Sequence, residues 1–242
     1  MMNYFKNKIL LLILSLSTRL GRGHYYKKKI FNFHRILNSN FKLEGDFHFI
    51  QIGANDGVSF DFLYDFVISR KSSGVVVEPI KEYFNELVNN YSNFEDIVKL
   101  NFAVHPTAKS AKIYKINPQS FSKYPDWVKG IASFNFNHHL ALNINSEDIL
   151  IEQVECKPLM ELILNNNRLD LLQIDTEGYD YEVLKMIDFK VLKPKLIKYE
   201  FVGLSDMDLK KSFKLLKANG YFLFKEGGDI IGINLETLDL RL

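Results

Sequence analysis

The sequence predicts an α/β fold built on a mostly parallel sheet, and three observations carry that expectation. From Asp46 onward, short apolar runs alternate with stretches of helical spacing. The run Phe49-Ile50-Gln51-Ile52 leads into the turn Gly53-Ala54-Asn55-Asp56-Gly57. A second apolar run, Gly74-Val75-Val76-Val77, ends in an acid, Glu78, 21 residues after Gly57. Glycine at 53 and 57 lets the backbone turn tightly and approach a ligand, while Asn55 and Asp56 tolerate left-handed conformations. An acid at the tip of the neighbouring strand is placed to accept hydrogen bonds from both hydroxyls of a ribose. The spacing is not G-x-G-x-x-G, so a nucleotide is expected without the dinucleotide fingerprint.

The bulk of the chain bounds the answer. With 242 residues, 47% hydrophobic and 25% charged, it can bury one substantial core, so one domain (46–242) with an N-terminal helical extension and linker (1–45) is expected. The net charge of +2 is nearly neutral and its basic residues read as scattered, which gives no reason to expect nucleic acid. The single cysteine, Cys156, forms no internal disulfide and reads as a small buried hydrophobe.

Taken in order, Lys6 to Leu20 is apolar behind two lysines and superficially like a signal peptide. It is too short to span a bilayer, and its apolar residues lie nearly all round the helical wheel. Docking on the domain is the favoured expectation, with peripheral membrane contact through residues 5–20 as the alternative. Gly21 to Lys29 reads as a polar, basic loop, and Ile30 to Leu37 as a short helix. Strands are expected at 48–52, 74–78, 98–102, 169–174, 196–201, 221–224 and 230–234. Helices are expected at 59–69, 80–90, 179–187 and 207–219, the last stopped by Asn219-Gly220. Residues 104–159 form an insertion, with extra strands at Ala111–Ile116 and Ile149–Val154 beside the main sheet. Between them an aromatic and Asn-rich tract with the only tryptophan, Trp127, is expected to hang as a substrate lid over the C-terminal strand edge.

The second site-building stretch is Leu169-Asp170-Leu171-Leu172-Gln173-Ile174-Asp175-Thr176-Glu177-Gly178. A continuous apolar run puts Asp175 at the carboxyl end of a strand buried on both faces. Three carboxylates, Asp175, Glu177 and Asp180, crowd within six residues. Such crowding needs an offset from helix amides, a substrate or a cation. Glu200 closes the next strand and is expected to face the same pocket.

Together Phe49–Gly57, Val75–Pro79 and the Ile-Asp-x-Glu-Gly core at 174–178 resemble the FkbM family of S-adenosylmethionine-dependent methyltransferases. The resemblance runs from about Asp46 to about Asn234, and departs where the family's first strand often carries an acid and this chain has Gln51. It implies the class I, Rossmann-like fold, with a seven-stranded sheet closed by an antiparallel hairpin. It also implies S-adenosyl-L-methionine as cofactor, a cytoplasmic chain, and methylation of a hydroxyl on a sugar, glycan or related small molecule.

On this basis Gln51, Gly53, Asn55, Asp56, Gly57, Glu78, Pro79, Ala103 and Asp175 are the cofactor candidates. Gly130-Ile131-Ala132-Ser133-Phe134 followed by His138-His139 resembles a segment seen in part of the family. Ser133 and Phe134 of that segment, and Glu177 of the acidic stretch, are substrate candidates. The candidate bases, in order, are Asp175, His138, Glu200 and His139. No His-Cys cluster argues for zinc; the carboxylates suit a divalent ion through oxygen ligands, but no metal is the expectation. Two alternatives remain open: a nicotinamide-dependent oxidoreductase, and a membrane-associated scaffold with a degenerate cofactor site.

Overall fold

The computed structural model describes residues 2–19, 24–59, 62–164 and 168–241. Expectations for Leu20 to Gly23 and for Phe60 lie outside the described residues. The chain opens with three helices, α1 (Met2–Arg19), α2 (His24–Ile30) and α3 (Phe33–Asn40). Strands and helices then alternate as β1 (His48–Ile52), α4 (Leu63–Ser69), β2 (Ser73–Val77), α5 (Lys81–Asn90) and β3 (Ile97–Leu100). The inserted region follows as β4 (Ala103–Val104), β5 (Ser110–Ile116), β6 (Ala132–Ser133), α6 (Phe136–Ala141), β7 (Ile149–Lys157) and α7 (Leu159–Leu164). The chain closes with β8 (Leu171–Ile174), α8 (Asp180–Lys185), β9 (Leu196–Glu200), α9 (Asp206–Ala218), β10 (Tyr221–Glu226) and β11 (Asp229–Asn234).

Among the described residues the main sheet has seven strands in the order β3-β2-β1-β8-β9-β11-β10, and of these β11 alone runs against the others. This is the seven-stranded sheet closed by an antiparallel hairpin that the resemblance implies. Its strands are apolar on both sides because both sides are covered. Phe49, Val76, Leu171, Leu196 and Ile231 share one core with Leu14, Phe33, Leu37, Leu63 and Leu87 of α1 and α3–α5. Ile50, Val75, Leu172, Ile197 and Ile230 share the other with residues of α7, α8 and α9. Strand order reverses between β1 and β8, so their carboxyl ends open the crevice where such sheets bind ligands.

Several expectations are corrected. The loop assigned to Gly21–Lys29 is helical from His24, because Ile30 is buried in the core and anchors the turn that precedes it. The next helix begins at Phe33, not Ile30, where the Asn32 side chain accepts from Arg35 N (2.8 Å) as an N-cap. The strand assigned to 98–102 breaks at Asn101, whose side chain donates to the carbonyls of Glu78 and Pro79 (2.8 and 3.0 Å). Beyond that break β4 leaves the main sheet, and the extra strands build a sheet of their own, β4-β7-β5-β6.

The three N-terminal helices are tied to the end of the chain. Asn7 is fully buried; its Nδ2 donates to the carbonyls of Leu235 and Leu238 (2.9 and 2.7 Å), and its Oδ1 accepts from Leu240 N (2.9 Å). Replacing Asn7 with Ala leaves three backbone groups without these partners, and we expect a loss of about 1 to 3 kcal/mol of stability by urea denaturation. Hydrogen exchange is expected to rise in α1 and in 235–240 together; unchanged stability would show that these bonds do not fasten the helix.

Candidate active site

The two strand tips are locked together by a missing side chain. Gly53 has a φ of +76°, and a Cβ placed there would lie 1.7 Å from the carbonyl oxygen of Asp175. The glycine following β1 is thus needed for contact with the β8 tip, whatever ligand it also meets. Asp175 N donates to Ile52 O (2.9 Å), while Gly53 N and Ala54 N share Val77 O (3.0 Å each). Asn55, left-handed at φ 50°, turns its N–H onto Glu78 Oε2 (2.9 Å). Ile80 N donates to Glu78 Oε1 (2.8 Å), so the carboxylate joins the turn after β1 to the start of α5.

These tips and the inserted region enclose a cavity of about 380 Å³, in the range of small-molecule sites. One end has Glu78 and Pro79 beside the apolar side chains of Phe102, Ala103 and Val104. The other has Asp175, Glu177, Glu200 and Lys198, with His138 over Glu177; Trp127 and Phe134 of the inserted region line the same cavity. Of the candidates from sequence, Gln51, Gly53, Asn55, Glu78, Pro79, Ala103, Phe134, His138, Asp175, Glu177 and Glu200 line this one cavity.

Asp56, Gly57, Ser133 and His139 do not line it. Asp56 closes its own turn, accepting from Val58 N, Ser59 N and Ser59 Oγ (2.9, 2.7 and 2.6 Å). Gly57, at φ +79°, leaves room for Tyr91, whose ring would lie 2.5 Å from a Cβ there. Ser133 is buried and donates to the Glu177 carbonyl (2.7 Å). His139 is fully buried beneath α6, and burial, then the neighbouring His138, push its pKa down.

The acidic end is electrostatically expensive. Oxygens of Asp175, Glu177 and Glu200 all lie within 4.8 Å of one another, close enough to share a hard cation. Asp175 opens onto the cavity but is surrounded by protein on its other sides. Burial, then the charges of Glu177 and Glu200, hold it well above the ordinary carboxylate range, with Lys198 opposing. Glu200 is pushed up to about 8 by burial and by Glu177, Asp180 and Asp229, again against Lys198. Burial also raises Glu78 to about 7, although its two backbone N–H partners pull the other way. Asp180, buried in the first turn of α8, is raised to about 7 by burial despite a bond from Thr176 Oγ1 (3.1 Å).

Glu177 fastens the roof to the floor. It sits left-handed at φ 51°, a costly conformation for a side chain with a Cβ. Its carbonyl receives Ser133 Oγ, and its Oε2 lies 2.9 Å from Nε2 of His138. Gly178 and Gly203 let the floor close up beneath the histidine: a Cβ on Gly203 would stand 2.8 Å from Gly178 N and 3.1 Å from His138 Cε1.

Among the lining residues that the sequence did not single out are two polar ones on the sheet, Gln173 and Lys198. Gln51, Gln173 and Lys198 stand in register across β1, β8 and β9, and all three line the cavity. A polar residue inside each of the apolar runs Leu171–Ile174 and Leu196–Tyr199 was the available signal for Gln173 and Lys198.

Residues 51–223 match a family model described as the methyltransferase FkbM domain. No curated protein sequence matches. Among solved structures, the chain is similar to methyltransferase FkbM from Methylobacillus flagellatus KT, at 13% identity over 77% of this chain and 43% of that one, with a TM-score of 0.46. It is similar to precorrin-6y C5,15-methyltransferase from Geobacter metallireducens GS-15, at 14% identity over 82% and 83% of the two chains and a TM-score of 0.38. A SAM-dependent methyltransferase from Aquifex aeolicus gives 12% identity, 86% and 90% coverage and a TM-score of 0.39.

Two outcomes test this geometry. Gly53→Ala puts a methyl group into the Asp175 carbonyl at a positive φ, and we expect a loss of more than about 2 kcal/mol by denaturant unfolding; wild-type stability would mean the tips are free to separate. The second concerns pH. Glu78, Asp180 and Glu200 bind protons more tightly folded than at their ordinary values of 4.5, 3.8 and 4.5. Between about pH 4.5 and 8 these three groups therefore hold more protons folded than unfolded, and their contribution to stability falls as pH rises. The melting temperature of the ligand-free chain is expected to be higher near pH 5.5 than near pH 8, and a flat or rising profile across that window would contradict the shifts.

Proposed function

The chain belongs to the FkbM methyltransferase family, and on that premise we propose that it transfers a methyl group to a hydroxyl oxygen of a sugar, glycan or related small molecule. S-adenosylmethionine, the family's methyl donor, supplies a methyl already activated on a sulfonium. The residues fit it. Glu78 keeps a free lone pair on each oxygen after its two backbone bonds, which suits a pair of ribose hydroxyls. Phe102, Ala103 and Val104 offer an apolar wall beside it for a base. The acidic end favours a sulfonium cation and disfavours an anionic acceptor. Membership of a methyltransferase family sets the nicotinamide alternative aside.

The observation that carries the hydroxyl reading is the convergence of Asp175, Glu177 and Glu200 at the end of the cavity away from Glu78. A hydroxyl must lose its proton as it takes a methyl group, and a carboxylate raised in pKa is a better base for that task than an ordinary one. Asp175 takes the proton in this scheme, Glu200 and Glu177 hold neighbouring hydroxyls, and His138 orients Glu177. The protein's remaining work is alignment of nucleophile, methyl and sulfur. A shared divalent cation on the same three carboxylates is the second reading, favoured by the 4.8 Å spacing of their oxygens.

Calorimetric titration with S-adenosylmethionine and S-adenosylhomocysteine, followed by transfer of labelled methyl to a panel of uncharged glycosides and oligosaccharides, tests the proposal. We expect Glu78→Ala to weaken donor binding by about 1 to 3 kcal/mol; unchanged affinity would remove Glu78 from the donor site. Asp175→Asn is expected to cut turnover by about 10² to 10⁴ while the folded chain still binds the donor. An active Asp175→Asn variant would end its role as base, and loss of turnover with a chelator, restored by a divalent ion, would establish the metal reading instead.

A further inference from the structure

The charge of this chain is segregated, not scattered. Its first 43 residues carry nine of the 31 Lys and Arg and none of the 29 acids, leaving 22 cations against 29 acids in the rest. The near-neutral total hides a basic arm on an acidic domain. That arm is the folded N-terminal unit α1–α3, held to the domain through Asn7 and Leu14 on one side of α1.

The opposite side of α1 is uncovered. Phe5, Ile9, Leu12, Ile13 and Leu16 are each between 51% and 62% exposed. At 3.6 residues per turn these positions form one stripe roughly 100° wide, with Asn7 and Leu14 on the far side. Lys6 falls on one flank of the stripe, and Lys8 and Arg19 on the other, each about 60 to 85° from its centre. Beyond α1, α2 presents exposed Tyr25 and Tyr26 followed by Lys27, Lys28 and Lys29. An apolar stripe bordered by cations and tyrosines matches the layered chemistry of a bilayer surface, apolar below and anionic above.

We propose that α1 and α2 seat the chain on an anionic lipid bilayer, with the stripe in the interface and the flanking cations among the headgroups. Among the described residues no helix is long and apolar enough to cross a membrane, so α1 lies in the plane of the surface. A second copy of the chain is the competing occupant. A symmetric pair joined through this stripe would bring two arms of like charge together with no acid in either to offset them. An anionic surface supplies that offset, at a distance within the screening length. The proposal concerns where the enzyme works and stands independently of its acceptor.

The test is flotation of the full chain with vesicles of phosphatidylcholine, alone or mixed with phosphatidylserine, alongside sedimentation velocity without lipid. We expect flotation with the mixed vesicles, weaker by about tenfold or more with phosphatidylcholine alone or at high salt. The pair Ile9→Ser and Leu12→Ser, and separately the pair Lys6→Glu and Lys8→Glu, are expected to abolish flotation while S-adenosylmethionine affinity is kept. The retained affinity reports that both variants fold. Failure of the wild-type chain to float, or flotation indifferent to both pairs, overturns the proposal. So does a concentration-dependent dimer that the Ile9→Ser and Leu12→Ser pair dissolves, since a second copy would then cover the stripe.

Discussion

The site depends on the contact between a glycine and a carbonyl. With Gly53 against the Asp175 carbonyl oxygen, at a separation no side chain could share, the turn after β1 and the tip of β8 become a single rigid edge. Everything the cavity uses is referred to that edge. The turn fixes Asn55, whose N–H holds Glu78; the β8 tip fixes Asp175 and the loop that carries Glu177. Neither Glu78 nor Asp175 reaches its position through its own strand alone. The pairing of β1 with both β2 and β8 is what brings the two acids to opposite ends of one crevice.

The fold concentrates negative charge there at a cost to its own stability. Burial raises Glu78, Asp175, Asp180 and Glu200 together, and Lys198 is the cation that opposes the shift at both Asp175 and Glu200. Lys198 also pairs with Asp229 at 3.1 Å, so one ammonium is divided among several carboxylates. An arrangement selected for stability alone would place apolar side chains at these strand ends. Conflict of this kind between local stability and the rest of the fold marks a working site.

Much of this was legible in the sequence because it depends on local pattern. The apolar runs gave the strands of the main sheet to within a few residues, and the tips at Gly53, Glu78 and Asp175 followed from where those runs stop. What escaped depended on contacts distant in the chain. Asp56 and Gly57 read as ligand residues because a glycine-bearing turn lets the backbone approach a ligand and the family resemblance places the cofactor there, yet they serve the turn itself and Tyr91, 34 residues away. His138 and His139 are indistinguishable in sequence, and only the direction of α6 separates the one at the roof of the cavity from the one beneath the helix. The basic arm was missed for another reason: a net charge averages over the chain, and only the position of the first acid, Glu44, exposes the asymmetry.

The inserted region is fastened to the same edge through Glu177. Its carbonyl holds Ser133 at the start of the roof, its carboxylate meets His138 further along, and its left-handed backbone is what lets one residue face both. The inserted region therefore closes against the acidic end of the cavity, while Glu78 at the other end is held by bonds from the main domain. Fold and insertion both contribute to each end. The strand tips common to the α/β scaffold supply Glu78 and the carboxylates, and the inserted region adds Ala103 and Val104 to the apolar wall and His138 over Glu177. Variation in residues 118–145 can then reshape the acidic end without disturbing the contact between Gly53 and Asp175 on which both ends rest.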